Sequence, residues 1–171
     1  MTKYRWIILS ILLYATTINY IDRFLLGLLK DNLMTDLSFT EADYGKIVGA
    51  FQLAYGFGNL LMGYLIDRVG TKIGYLITII IWSLSSFSHG LANSWKSLQI
   101  SRFSLGIGEA GNFPAAIKTV AEWFPKRQRA FATGIFNSGS QLGIIIAGLM
   151  VPLIYREFGW RYCFMLTGIL S

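Results

Sequence analysis

Four ionisable residues lie inside long apolar runs of this 171-residue chain: Asp22, Arg23, Arg102 and Glu109. A charged side chain at the centre of a bilayer costs about 2.5–3.5 kcal/mol on insertion scales. Four left unpaired would cost roughly 10–14 kcal/mol, as much as the whole stability of a domain. Two guanidiniums and two carboxylates cancel in formal charge, so pairing resolves the conflict. Arg102 and Glu109 are seven residues apart, on one helical face but about 10 Å apart along the axis. That is too far for direct contact. A group from another helix fits between them, and Asp22-Arg23 supplies one if the two helices are neighbours. A guanidinium matches a carboxylate bidentately, so Arg23 is the candidate anion ligand. Asp22 and Glu109 are candidate proton sites, and Arg102 completes the charge network. A static network that fixes helix register is the alternative use of the same residues.

Neutral polar stripes accompany these charges. Gln52, Tyr55 and Asn59 follow i, i+3, i+7 spacing, Asn137 and Gln141 follow i, i+4, and Tyr20 lies one turn before Arg23. Such groups suit the hydroxyls of a small polar solute, or serve as helix-to-helix glue. A multi-histidine metal site is excluded, because His89 is the only histidine. There is no P-loop and no G-x-S-x-G. The run Gly106-x-Gly108-x-x-Gly111 copies a dinucleotide fingerprint in spacing alone, since it lies in an apolar helix with no strand before it.

The elements that must position these residues are membrane spans. The chain is 54% hydrophobic and 14% charged, with a mean hydropathy of +0.51, well outside the soluble range. A spanning helix needs roughly 20 mostly apolar residues. Six spans are predicted, at about 4–29, 43–66, 73–91, 97–120, 130–154 and 160–171, the last incomplete. Thr40 is the predicted N-cap of the second, with Asp43 at its third helical position. Gly45-x-x-x-Gly49 and Gly139-x-x-x-Gly143 place small residues on packing faces. The apolar run that follows Lys3 and Arg5 has no A-x-A cleavage site and continues to Leu29, so it reads as an uncleaved first span. Cys163 is expected to be a packed thiol. The net charge of +6 reflects loops at a membrane face rather than nucleic-acid binding. Eight Lys and Arg fall on the side of the N-terminus and five on the other, which favours a cytoplasmic N-terminus. The end at Ser171, in mid-span, suggests a fragment of a longer chain or a natural truncation.

The turn after the second span reads Gly63-x-Leu65-x-Asp67-Arg68-x-Gly70-Thr71-Lys72. It resembles the G-x-L-x-D-R-x-G-[RK]-[RK] signature of the major facilitator superfamily, with Thr71 in place of a basic residue. Asn19-Tyr20-x-Asp22-Arg23, the stretch from Arg102 to Pro114 with its Gly-Glu-Ala-Gly-Asn-Phe-Pro run, Trp123-Phe124-Pro125 and Gly134-x-x-Asn137-Ser138-Gly139 resemble the anion:cation symporter branch, which carries hexuronates, galactonate and glucarate. The resemblance implies an all-α membrane protein: the N-terminal six-helix half of a transporter, a 3+3 inverted repeat cut within helix 6, with the C-terminal half missing. It implies no enzyme and no cofactor beyond protons as coupling ion. The expected cargo is a small organic anion, a sugar acid, carried across a bacterial inner (plasma) membrane. Gly63, Asp67, Arg68, Gly70 and Lys72 would form a cytoplasmic gating latch. Tyr20, Tyr55, Asn137 and Gln141 would join Arg23 in binding substrate. A non-transporting truncated membrane protein or scaffold and a proton-independent anion exchanger remain the rival readings.

Overall fold

The computed structural model describes residues 3–171. Eight α-helices make six crossings: α1 (Tyr4–Leu28) with its extension α2 (Lys30–Asp36), α3 (Glu41–Val69), α4 (Thr71–Gly90), α5 (Trp95–Ala110) with α6 (Asn112–Trp123), α7 (Lys126–Phe158) and α8 (Trp160–Leu170). Of these, α1, α4 and α7 are each long and apolar enough to cross a bilayer by themselves.

One predicted span is extended and another is interrupted. The hydrogen-bond ladder of α1 carries on through Leu29, whose carbonyl accepts from Leu33, so α2 extends the first crossing beyond the predicted boundary. The fourth crossing breaks at Gly111, between α5 and α6. Pro114 has no N–H to give to the carbonyl of Ala110, which loosens the ladder at that point. Helix starts follow from capping. Thr40 accepts from the Asp43 N–H while the Asp43 carboxylate accepts from Thr40, and Ser94 with Ser97 repeats the arrangement on α5.

The six crossings form two triplets. Because each triplet has an odd number of crossings, the second runs inverted relative to the first. Their packing obeys one two-fold relation. In the first crossing pair, α5 meets α3 at Gly106, where a Cβ would come within 3.0 Å of the Ala54 Cβ. In the equivalent pair, α7 meets α1 at Gly143, where a Cβ would come within 2.8 Å of the Tyr20 Cβ. The turns correspond as well. Gly70 (φ 86°) and Gly159 (φ 80°) each end one helix and begin the next in the left-handed region that glycine adopts without strain. Gly45 and Gly49 do not pack: a Cβ on either would meet no atom within 4 Å. The face of α3 that packs carries Phe51, Ala54, Gly58 and Met62 instead.

Candidate functional site

The first and fourth crossings bring two of the four charges into contact. The Arg23 Nε donates to Glu109 Oε2 at 2.6 Å. Glu109 is fully buried and Arg23 is 20% exposed. The guanidinium lies over the Tyr55 ring at 4.3 Å, with the Tyr20 ring at 5.2 Å and the Phe51 ring at 5.5 Å. Three aromatic faces and one carboxylate therefore hold the cation inside the bundle. The pairing is incomplete, since Arg23 Nη2 and Glu109 Oε1 are buried without a hydrogen-bond partner.

Asp22 takes another direction. Neighbours in a helix point about 100° apart, so the same geometry that turns Arg23 toward α3 and α5 turns Asp22 toward α4. Its carboxylate accepts from the Trp82 indole N–H at 3.0 Å and from the Ser86 hydroxyl, which in turn contacts Thr167 on α8. Arg102, also buried, donates to the Asp22 backbone carbonyl at 3.3 Å and to neither carboxylate. The expectation of one four-membered network is corrected to an ion pair, a carboxylate held by neutral donors, and a guanidinium between them. Trp82 and Ser86 were missed because their types look like ordinary core and helix-surface residues.

A pocket of about 450 Å³ opens beside the pair, lined by Arg23, Tyr44, Phe51, Gln52 and Arg102 among others. Tyr20 and Tyr55 stand at the ion pair, with their rings against the Arg23 guanidinium. Asn137 and Gln141 do not hydrogen-bond any of the four charged side chains; they are exposed on α7. The stripe Phe136, Gly139, Gly143 and Ala147 packs inward, and residues 137 and 141 lie well over 100° from it around the helix. Asn59 is already committed, donating to the Tyr55 carbonyl.

At the Asp67 turn, Lys118 of α6 donates to Asp67 at 2.8 Å and to the Ile66 carbonyl. Arg68 lies over the Tyr64 ring, and Lys72 is exposed. A Cβ on Gly63 would meet nothing within 4 Å, and Gly70 makes the turn. Thr71, the residue that departs from the usual basic type, donates to Glu122. At the opposite end the Trp160 indole donates to Asp36 at 2.7 Å. Thr71 and Trp160 each follow the turn glycine, and Glu122 and Asp36 each lie near the end of the helix beside it, so the two ties are equivalent in the repeat.

The sequence model of the Major Facilitator Superfamily matches residues 12–171. The chain belongs to this superfamily. It is similar to a galacturonate transporter of Dickeya chrysanthemi, 33% identical over 98% of this chain and 48% of the relative. A hexuronate transporter of Escherichia coli is 33% identical over 98% and 39%. A probable galactarate/D-glucarate transporter of Bacillus subtilis is 33% identical over 98% and 38%. Among solved structures, a bacterial homologue of the human lysosomal transporter Spinster, inward-facing and occupied, superposes with a TM-score of 0.87 at 26% identity, over 96% of this chain and 41% of that one. The chain thus spans less than half the length of the relatives it matches. It has the six-helix architecture of the N-terminal half of a superfamily transporter, an integral membrane protein and not an enzyme.

Proposed function

We propose that this chain is the anion-binding half of a proton-coupled symporter of small organic anions, sugar acids such as hexuronates or aldonates. The observation that carries the reading is the Arg23–Glu109 pair, set in an aromatic frame beside an open pocket. Arg23 is the carboxylate ligand. Protonation of Glu109 releases its guanidinium, and the substrate carboxylate takes the place that Glu109 leaves. In a low-dielectric surround each exchange keeps the site near neutral, which favours movement of both the loaded and the empty carrier. Asp22 is the second proton site. Arg102, between the two acids, keeps the charge of the region balanced as they titrate. Tyr20 and Tyr55 hold the guanidinium, while Asn137 and Gln141 bind hydroxyls from the open face of α7.

A C-terminal half closes the cavity against that face and against the Asp67 turn, which acts as a latch on the cytoplasmic side with the N-terminus. The membrane is a bacterial inner (plasma) membrane, and protons are the coupling ion. Names of relatives support the substrate class: they include galacturonate and hexuronate transporters.

The test is uptake of labelled galacturonate by proteoliposomes holding the complete transporter under an imposed pH gradient. Glu109→Gln and Asp22→Asn should abolish accumulation above equilibrium and leave part of the exchange of internal for external substrate. Accumulation at the wild-type level in both variants would remove Glu109 and Asp22 as the proton sites, and wild-type uptake that ignores the pH gradient would return the proton-independent exchanger.

A further inference from the structure

The two-fold relation can be written residue by residue. Arg23 and Glu109, 86 positions apart, are equivalent members of the first and fourth crossings, and so are Asp36 and Glu122, whose ties to Trp160 and Thr71 match. Gly70 and Gly159, 89 positions apart, set the relation for the remaining helices. Under it Gln52 on α3 is equivalent to Gln141 on α7, Val48 to Asn137, and Gly27 to Phe113.

Gln52 lines the pocket next to Arg23. It is exposed and makes no side-chain hydrogen bond among the described residues. Tyr55, whose ring carries the Arg23 guanidinium, marks the level of the ion pair on α3. Gln52 is three residues from it, about 4.5 Å toward the α2 end. The two-fold relation puts Gln141 a similar distance from the pair in the opposite direction, on the exposed face of α7. Two carboxamides therefore straddle one guanidinium along the direction of transport.

A sugar acid has a carboxylate at one end and hydroxyls along a chain of several ångströms. With its carboxylate on Arg23, its hydroxyls extend to the level of Gln52 or to that of Gln141. A carboxamide has both a donor and an acceptor to offer them. We propose that Gln52 is the hydroxyl-binding residue of a loading subsite on the α2 side of Arg23, and that Gln141 is its quasi-equivalent on the opposite side. The substrate carboxylate stays on one cation while its polyol end passes from one glutamine to the other. The inference rests on the sugar-acid reading above and assigns to Gln52 a role that reading does not.

The experiment uses the complete transporter in sealed vesicles of defined sidedness, with galacturonate supplied from either face. Gln52→Met and Gln141→Met keep side-chain length and remove the hydrogen-bonding groups; both positions are exposed, so neither change disturbs the core. Gln52→Met should raise the half-saturating concentration roughly 3- to 10-fold on one face, the loss of one or two hydrogen bonds. Gln141→Met should do so on the other face. Gln52→Glu, which sets a negative charge in the path, should deepen the loss on the face that Gln52→Met affects. Equal effects on both faces, or none, with normal wild-type transport would overturn the inference and leave the transport reading standing. A wild-type carrier that moves no sugar acid from either face would remove both.

Discussion

A double-mutant cycle on Arg23 and Glu109 tests whether the contact at 2.6 Å is an energetic unit. Breaking a fully buried ion pair by removing one partner costs about 3–5 kcal/mol, because a charge is left without compensation. Arg23→Met strands Glu109, which has no exposed side-chain surface, so the full range of about 3–5 kcal/mol applies. Glu109→Met strands Arg23, which is one-fifth exposed and keeps three aromatic faces; solvent at the pocket and the ring contacts reduce the loss to about 2–4 kcal/mol. The double variant has no charge to strand, and two flexible apolar side chains fill the gap. Its stability should return to within about 1–2 kcal/mol of the parent. The coupling is then at least about 3 kcal/mol. Reversible unfolding of the complete transporter in detergent, followed by tryptophan fluorescence, measures all four corners. If the double variant loses what the two single variants lose together, the residues act independently and the charge argument fails.

Packing and capping give three further outcomes. Gly108→Ala places a Cβ 2.6 Å from the Trp82 backbone nitrogen, which cannot retreat, and should destabilise by about 2–3 kcal/mol. Gly134→Ala, where no atom lies within 4 Å, should be neutral or stabilise by up to about 1 kcal/mol; the same unfolding measurement separates them. Thr40→Ala removes the cap of α3 and should lower stability by about 1 kcal/mol, with faster amide exchange confined to the first turn of that helix.

Much of this architecture is legible in the sequence because hydropathy, capping and charge burial are local or nearly so. Three of the crossings, α1, α4 and α7, are legible from apolar length alone, and the Thr40 cap follows from side-chain type. The meeting of the first and fourth crossings follows from the energy of unpaired charge. The facing of individual side chains is less accessible. Asn137 and Gln141 share a helical face by spacing, but Gly139 and Gly143 decide where that face points; the glycine stripe, read together with the polar pair, would have shown that they turn away from α1. The same applies to Gly45 and Gly49, where a small-residue spacing has no partner in the bundle. Asp22 illustrates a limit of a different kind. Its partners Trp82 and Ser86 lie 60 and 64 residues away, and nothing in their identity marks them as donors to a carboxylate. The inverted repeat that the resemblance implies also has a local mark: Asp67-Arg68-x-Gly70-x-Lys72 and Arg156-Glu157-x-Gly159-x-Arg161 share charged positions around a glycine.

The Arg23–Glu109 contact joins two positions related by the two-fold. Suppose that the two triplets were once separate, identical three-helix chains paired in opposite orientations. The residues meeting at this point would then have been two copies of one another, arginine against arginine or glutamate against glutamate, and like charges this close and this dry repel strongly. Opposite charges can meet there only where the two triplets differ in sequence, so the ion pair at the centre depends on the two halves of the repeat not being identical.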